Sequence, residues 1–299
     1  MFRPDKLNPQ DEIRILTTAR KVDTSEITEA IHWLESLGYL ASLGETMHLA
    51  DNQYGGTDIE RARDFQSALD DPKVKGIWFA RGGYGSIRVF DYIHWERFIE
   101  NPKWLIGFSD ITIWHNLVNH FYGIQTLHTL MPITFPTSTD ISRAILAENM
   151  AGNFPSIHFE ANAQNTRPEN FEGEIIGGNL SILYSLLGTK IGFNTNGKIL
   201  FIEEIDEYLY HIDRMLISLK FAGKLEGLKG LVVGGFTDIK DNEIPFGKSF
   251  YDIILEHTSS YTYPVIFDFP AGHIADNRAI ALGSRVRFEI GREIKMNYL

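Results

Sequence analysis

Short apolar runs alternate with helix-periodic stretches through the first half of the chain, and this alternation narrows the choice of fold more than any other feature. EIRILTTA (12–19) reads as a strand, and EITEAIHWLESLG (26–38) as a helix that ends at Gly38. In that helix Ile27, Ile31, Leu34 and Leu37 recur at helical spacing, and Ser25 is the expected cap. IERARDFQSALDD (59–71) reads as a helix, KGIWFA (75–80) as a buried strand, RVFDYI (88–93) as a helix start and WLIGF (104–108) as a strand. ITIWHNLVNHFYG (111–123) completes the series as a helix that stops at Gly123. Strands that alternate with helices imply βα units and a largely parallel sheet.

The pattern breaks between Glu148 and Glu172, where Asn, Gly, Pro and Glu dominate without a sustained period. The expected organisation is therefore an N-terminal α/β domain over residues 1–150, a linker over 151–172 and a C-terminal domain over 173–299. The second half is mixed. GEIIGGN leads into a helix from Leu180 to Leu187, KILFIEEI reads as a strand, and HIDRMLISLKFAG as an amphipathic helix. LKGLVVGGF and PVIFDFP read as strands, and the closing RAIALGSRVRFEIGREIKMNYL alternates as a terminal hairpin would.

Composition excludes several functions. A chain of 299 residues with 43% apolar and 22% charged residues can bury a large core. A formal charge of -11 argues against nucleic-acid or anionic-membrane partners, either of which needs a basic face. The absence of cysteine removes disulfides, thiolate zinc sites and cysteine nucleophiles. No apolar run approaches the ~20 residues that span a bilayer, and the N-terminus lacks a signal-peptide pattern. A soluble, cytoplasmic protein is expected.

Four places can carry chemistry. At Gly107-Phe108-Ser109-Asp110 an apolar strand runs directly into a serine that opens a helix. Such a turn exposes the hydroxyl and aims the next backbone N–H at the same point. On this local pattern alone helix capping is the commoner role of serine, and the final glycine of G-x-S-x-G is missing. Arg81-Gly82-Gly83-Tyr84-Gly85-Ser86 follows a strand and lets backbone N–H groups approach a ligand; the alternatives are a phosphate cradle or a plain tight turn. Around Glu203, Glu204, Asp206 and Glu207 one acid at the strand end can orient a histidine while the rest form a solvated face. Asp213 and Arg214 on the following helix read as an ion pair or, for Arg214, a brace for those acids. Lastly, His273 follows Gly272 on a loop that leaves a strand. His115, His120 and His128 match no common metal spacing and read as core, helix-surface or loop residues, with His128 the most site-like of them.

Taken together, ARGGYGS (80–86), GFSDIT (107–112), GGNLSIL (177–183), FIEEIDEYLYHIDRML (201–216) and PAGHIADNRAIALG (270–283) resemble the LD-carboxypeptidase family of serine peptidases, which includes the microcin-immunity peptidases. The resemblance spans about Tyr54 to Gly283. It implies a flavodoxin-like parallel-sheet N-terminal domain and a smaller, β-rich α/β C-terminal domain, with the site between them. It places the nucleophile on Ser109, the acid on Glu203 and the base on His273. The oxyanion hole falls on the N–H of Asp110 and one from the glycine loop, Gly83 foremost with Gly82 beside it. The implied reaction is release of D-alanine from a murein tetrapeptide, without cofactor or metal, by a homodimer whose partner is a small peptide. Arg81 is the candidate for its free carboxylate, a structural role in the loop being the alternative. The sequence departs from the family pattern at Thr17-Thr18-Ala19-Arg20 and at His128-Thr129-Leu130-Met131-Pro132. Two other readings stay open: an immunity-type peptidase acting on an aminoacyl or peptidyl nucleotide, and a phosphate- or nucleotide-binding α/β protein.

Overall fold

The apolar runs of the first half become five strands: β1 (Glu12–Leu16), β2 (Leu40–Leu43), β3 (Val74–Phe79), β4 (Trp104–Gly107) and β5 (Thr126–His128). In this computed structural model, which describes all 299 residues, they pair in parallel in the order β2-β1-β3-β4-β5. That is the flavodoxin-like order, and the direction of winding reverses between β1 and β3. β4 is buried throughout and β3 nearly so, as helices on both faces of a parallel sheet require. The first compact unit comprises Met1–Phe154 together with Ala275–Ala281.

Helix boundaries follow local capping chemistry. Thr57 and Glu60 form a reciprocal capping box at the start of the helix Asp58–Asp70. At the first helix the expected cap moves from Ser25 to Asp23. The Asp23 carboxylate accepts from Ser25 N at 2.8 Å and Ser25 Oγ at 2.7 Å, while Glu26 reaches back to Asp23 N at 2.9 Å. The D-x-x-E spacing sets a 3-10 turn, Thr24–Ile27, ahead of the helix Thr28–Ser36. After β4 the chain makes a 3-10 turn (Ser109–Ile111), a helix (Thr112–Leu117) and a π-turn (Val118–Tyr122) that ends at Gly123, φ 63°.

The second unit, Pro155–Ile274 with Leu282–Leu299, holds a mixed sheet. Its strands are β6 (Ile157–Glu160), β7 (Phe171–Asn179), β8 (Ile199–Ile205), β9 (Gly230–Thr237) and β10 (Val265–Ile266). After them come β11 (Ile280–Leu282), β12 (Arg285–Glu289) and β13 (Glu293–Tyr298), of which β12 and β13 belong to this sheet. The order is β10-β9-β8-β7-β12-β13-β6, with β7 to β10 parallel and the remaining pairs antiparallel.

Several expectations from sequence shift here. Within residues 151–172, Ile157–Glu160 pairs with β13 and Thr166 bridges to Val265. The terminal hairpin consists of β12 and β13 alone. Ile280–Leu282 is instead an edge strand of the first sheet beside β5, because Gly283, at φ 85°, turns the chain away before β12 begins. PVIFDFP supplies only a two-residue strand, after which the chain follows β9 in irregular form.

Arg61 is the main internal tie of the first unit. It is fully buried, and its guanidinium donates to the carbonyls of Gly56 (3.2 Å), Gly85 (3.0 Å) and Thr18, and to Asp58. One side chain thus fastens the loops after β1 and β3 to the helix between them. Replacing Arg61 with Met would leave these acceptors buried and unmatched, and urea unfolding should register a loss of roughly 3 kcal/mol.

Candidate active site

In open α/β sheets the crevice beside a winding reversal lies at the C-terminal strand ends. The turns that follow β1, β3 and β4 gather there. Ser109 sits directly after β4 with φ 62°, in the left-handed region that a non-glycine residue rarely occupies. Its hydroxyl is not a helix cap: the N-cap position belongs to Phe108, and no side-chain cap is made. The capping interpretation is therefore replaced by a strained strand-to-helix turn that leaves Ser109 half-buried.

Two contacts fix that turn from beneath. The Gly107 carbonyl accepts from Thr129 N at 3.1 Å and from His115 Nε2 at 2.8 Å. His115 is completely buried, and its Nδ1 has no hydrogen-bond partner. Burial lowers its pKa to about 4, although the bond to Gly107 pulls the other way. The neutral Nε2–H tautomer is the one that satisfies this geometry. His128, the last residue of β5, is fully buried as well. No group of three His, Asp or Glu side chains is arranged to hold a metal ion.

The glycine loop lies against the serine. A Cβ built on Gly82 would fall 3.1 Å from Ser109 Cβ, 3.2 Å from Ser109 Oγ and 3.3 Å from Asp110 N. Only the absence of a side chain lets the loop backbone come this close. Gly83 (φ 104°) is exposed, and Arg81 is half-buried. Asp110 has a role that sequence reading did not assign: its buried carboxylate accepts from Ser86 N at 2.8 Å and ties the loop to the serine turn. Desolvation raises its pKa, against the hydrogen bonds from Ser86 and the charge of Arg61. Thr18 Oγ1 and Ser86 Oγ, 2.7 Å apart, join the loop after β1 to the same network.

In the second unit His273 Nδ1 lies 2.6 Å from Glu203 Oε2. An ionised carboxylate only accepts, so Nδ1 carries the proton and Nε2 keeps its lone pair. The sheet provides this geometry through a bulge. Ile202 pairs with Val233 but Glu204 pairs with Phe236, which leaves Gly234 and Gly235 opposite Glu203. A Cβ on Gly234 would overlap the Ala271 carbonyl, and one on Gly235 would fall 2.6 Å from Ile274 Cγ2. Val233 O accepts from Phe269 N at 3.0 Å, and Gly235 N donates to Ala271 O at 2.9 Å. Thr237 Oγ1 then donates to the His273 carbonyl at 2.6 Å. Gly272 (φ 110°) completes the approach, since a Cβ there would lie 2.7 Å from Glu203 Cβ.

Burial lowers the His273 pKa, but the charge and hydrogen bond of Glu203, joined by the charge of Glu204, raise it overall. Glu203 is fully buried, and its Oε1 has no hydrogen-bond partner. Glu204, expected on a solvated face, is buried too. It accepts from Asn179 Nδ2 (3.0 Å), Ser181 N (2.7 Å) and Ile205 N (2.9 Å). Desolvation and the neighbouring Glu203 push its pKa up to about 7. Of the four acids only Asp206 is exposed; Glu207 pairs with His211 at 2.7 Å. Arg214 neither pairs with Asp213 nor braces the acids. Asp213 bonds His257 at 2.7 Å, and the Arg214 guanidinium lies 5.2 Å from the Tyr210 ring centre.

Residues 13–129 match the LD-carboxypeptidase N-terminal domain, and residues 172–288 match the LD-carboxypeptidase C-terminal domain. A probable murein peptide carboxypeptidase of Bacillus subtilis is 31% identical over 293 residues, covering 95% of this chain and 90% of that one. The chain belongs to the LD-carboxypeptidase family. The muramoyltetrapeptide carboxypeptidase of Oxalobacter formigenes superposes with a TM-score of 0.86 at 26% identity, covering 96% of this chain and 98% of that one. A microcin self-immunity protein in complex with aspartyl sulfamoyl adenosine shares the fold with a TM-score of 0.89 at 18% identity, over 99% of this chain and 98% of that one. The chain has no helix long and apolar enough to cross a membrane.

The buried His115 has a measurable consequence for stability. Its folded pKa lies below the unfolded value of 6.5, so the unfolded chain binds the extra proton first. Stability from this group is present above pH 6.5 and is lost as pH falls towards 4. Urea unfolding at pH 7 and pH 5 should differ by about 2 kcal/mol from this source, and a His115→Phe variant should show a correspondingly flatter pH dependence.

Proposed function

We propose that this protein is a serine carboxypeptidase that hydrolyses the L,D-peptide bond releasing the terminal D-alanine of murein tetrapeptides. The observation that carries the reading is the left-handed turn at Ser109, set against Gly82 and the Asp110 N–H, in a chain of this family. Ser109 Oγ attacks the scissile carbonyl of the diamino acid, and His273 Nε2 takes its proton. Glu203 holds the imidazole in the required tautomer and stabilises its cation. The N–H groups of Asp110 and Gly83 receive the charge that develops on the carbonyl oxygen. His273 then protonates the departing amine, D-alanine leaves, and water activated by the same imidazole hydrolyses the acyl-enzyme.

A role in cell-wall recycling fits a cytoplasmic enzyme, acting as a homodimer on small peptides. Hydrolysis of an acyl-sulfamoyl adenylate is the second reading, favoured by the likeness in fold to the microcin self-immunity protein. Mass analysis after incubation with murein tri-, tetra- and pentapeptides and with an aminoacyl sulfamoyl adenosine separates the two. Loss of one alanine from the tetrapeptide alone supports the carboxypeptidase; cleavage of the adenosine compound alone supports the second reading.

Three kinetic outcomes are expected. Ser109→Ala should lower kcat by at least about a thousandfold, because members of such a set act as a unit. The base must be neutral, so kcat/KM should fall as pH drops through the raised His273 pKa, with its acid limb above pH 6.5. Glu203→Gln removes the charge that raises this pKa and should move the limb to lower pH, as measured in a pH–rate profile.

A further inference from the structure

Arg20 closes the turn after β1, where the sequence departs from its family's pattern. Its carbonyl accepts from Thr17 Oγ1 at 2.9 Å, and its N–H donates to Gly82 O at 3.5 Å. Its side chain runs along Gly83. A Cβ on Gly83 would fall 2.6 Å from Arg20 Cδ and 3.0 Å from both Cγ and Nε. Arg14, Arg61, Arg88 and Arg143 of the same unit pair with carboxylates, whereas Arg3, Arg63, Arg81 and Arg97, like Arg20, form no ion pair; of these it is Arg20 whose side chain packs on Gly83. Arg20 is exposed, and no carboxylate of the protein pairs with it. In a chain with a formal charge of -11, an arginine left unpaired beside the candidate nucleophile is set apart for an external anion.

Resting on the function proposed above, we infer that Arg20 binds the terminal carboxylate of the peptide substrate and so makes the enzyme a carboxypeptidase. Spacing selects that group. Ser109 lies against Gly82, and Arg20 lies against the next residue, Gly83. Consecutive Cα atoms are about 3.8 Å apart. In a peptide cleaved at its last bond, the terminal carboxylate carbon is three bonds from the scissile carbonyl carbon, a separation of roughly 3–4 Å. One residue along the loop therefore matches one residue along the substrate. A carboxylate on the side chain of the diamino acid is several bonds farther from the cleaved carbonyl and does not match. Guanidinium is also the side chain suited to a carboxylate, through two parallel N–H···O bonds. Arg81, the earlier candidate, is not among the nearest neighbours of Gly83, whereas Arg20 packs on it.

The test compares a murein tetrapeptide with its C-terminal amide, using wild type, Arg20→Gln, Arg20→Lys and Arg81→Gln. Wild type should prefer the free acid. Arg20→Gln should raise KM for the acid roughly 10- to 100-fold, leave kcat within about threefold and leave the amide unchanged, so that the preference disappears. Arg20→Lys should restore part of it. Thermal unfolding of Arg20→Gln should match wild type, as expected for an exposed side chain. Wild type active with its preference intact in Arg20→Gln, or a preference lost in Arg81→Gln instead, overturns this inference alone. Wild type inert on both peptides overturns the proposed function and the inference with it.

Discussion

The backbone of Ser109 is the constraint around which the first unit is arranged. A left-handed φ costs an ordinary residue on the order of 1–3 kcal/mol and persists only when its surroundings over-determine it. They do so from three directions. His115 and Thr129 hold the Gly107 carbonyl, the side chain of Asp110 holds Ser86, and Gly82 packs on the serine itself. Arg61 then fixes the loops on either side through their carbonyls. The strain is thereby carried by buried polar groups of the sheet's upper edge rather than by the surface.

A different device operates in the second unit. Two adjacent carboxylates on one strand would ordinarily point to opposite faces, with one of them in water. β8 is central and covered on both faces, so both Glu203 and Glu204 are buried. Each solves the problem separately: Glu203 by pairing with His273, Glu204 by accepting three hydrogen bonds. Glu204 also adds negative charge near His273, which helps to hold the imidazole pKa up against burial. The Gly234–Gly235 bulge makes room for the loop that presents the histidine.

Much of this was legible in the sequence, for identifiable reasons. β3 and β4 were visible because strands buried on both faces read as unbroken apolar runs. The Ser109 turn, the glycine loop and the Gly272-His273 loop stood out as special residues at strand ends. The character of Ser109 did not, since capping and a left-handed turn share one local pattern. Burial of Glu204 and Arg61 was invisible because charge alone signals exposure, and only the packed structure shows that both faces of β8 are covered. The role of the Asp110 carboxylate depends on a partner 24 positions away. β11 was absorbed into a hairpin because alternation shows a strand but not its sheet. Ser25 lost the cap to Asp23 because a reciprocal pair with Glu26 outcompetes a lone hydroxyl.

We propose that Ser109 is a nucleophile activated by His273. Labelling with a fluorophosphonate, followed by peptide mapping, tests it most directly. The account predicts a single adduct on Ser109, formed far more slowly in a His273→Ala variant that retains the wild-type unfolding transition. An adduct on another residue, or labelling of Ser109 at an unchanged rate without His273, would contradict it.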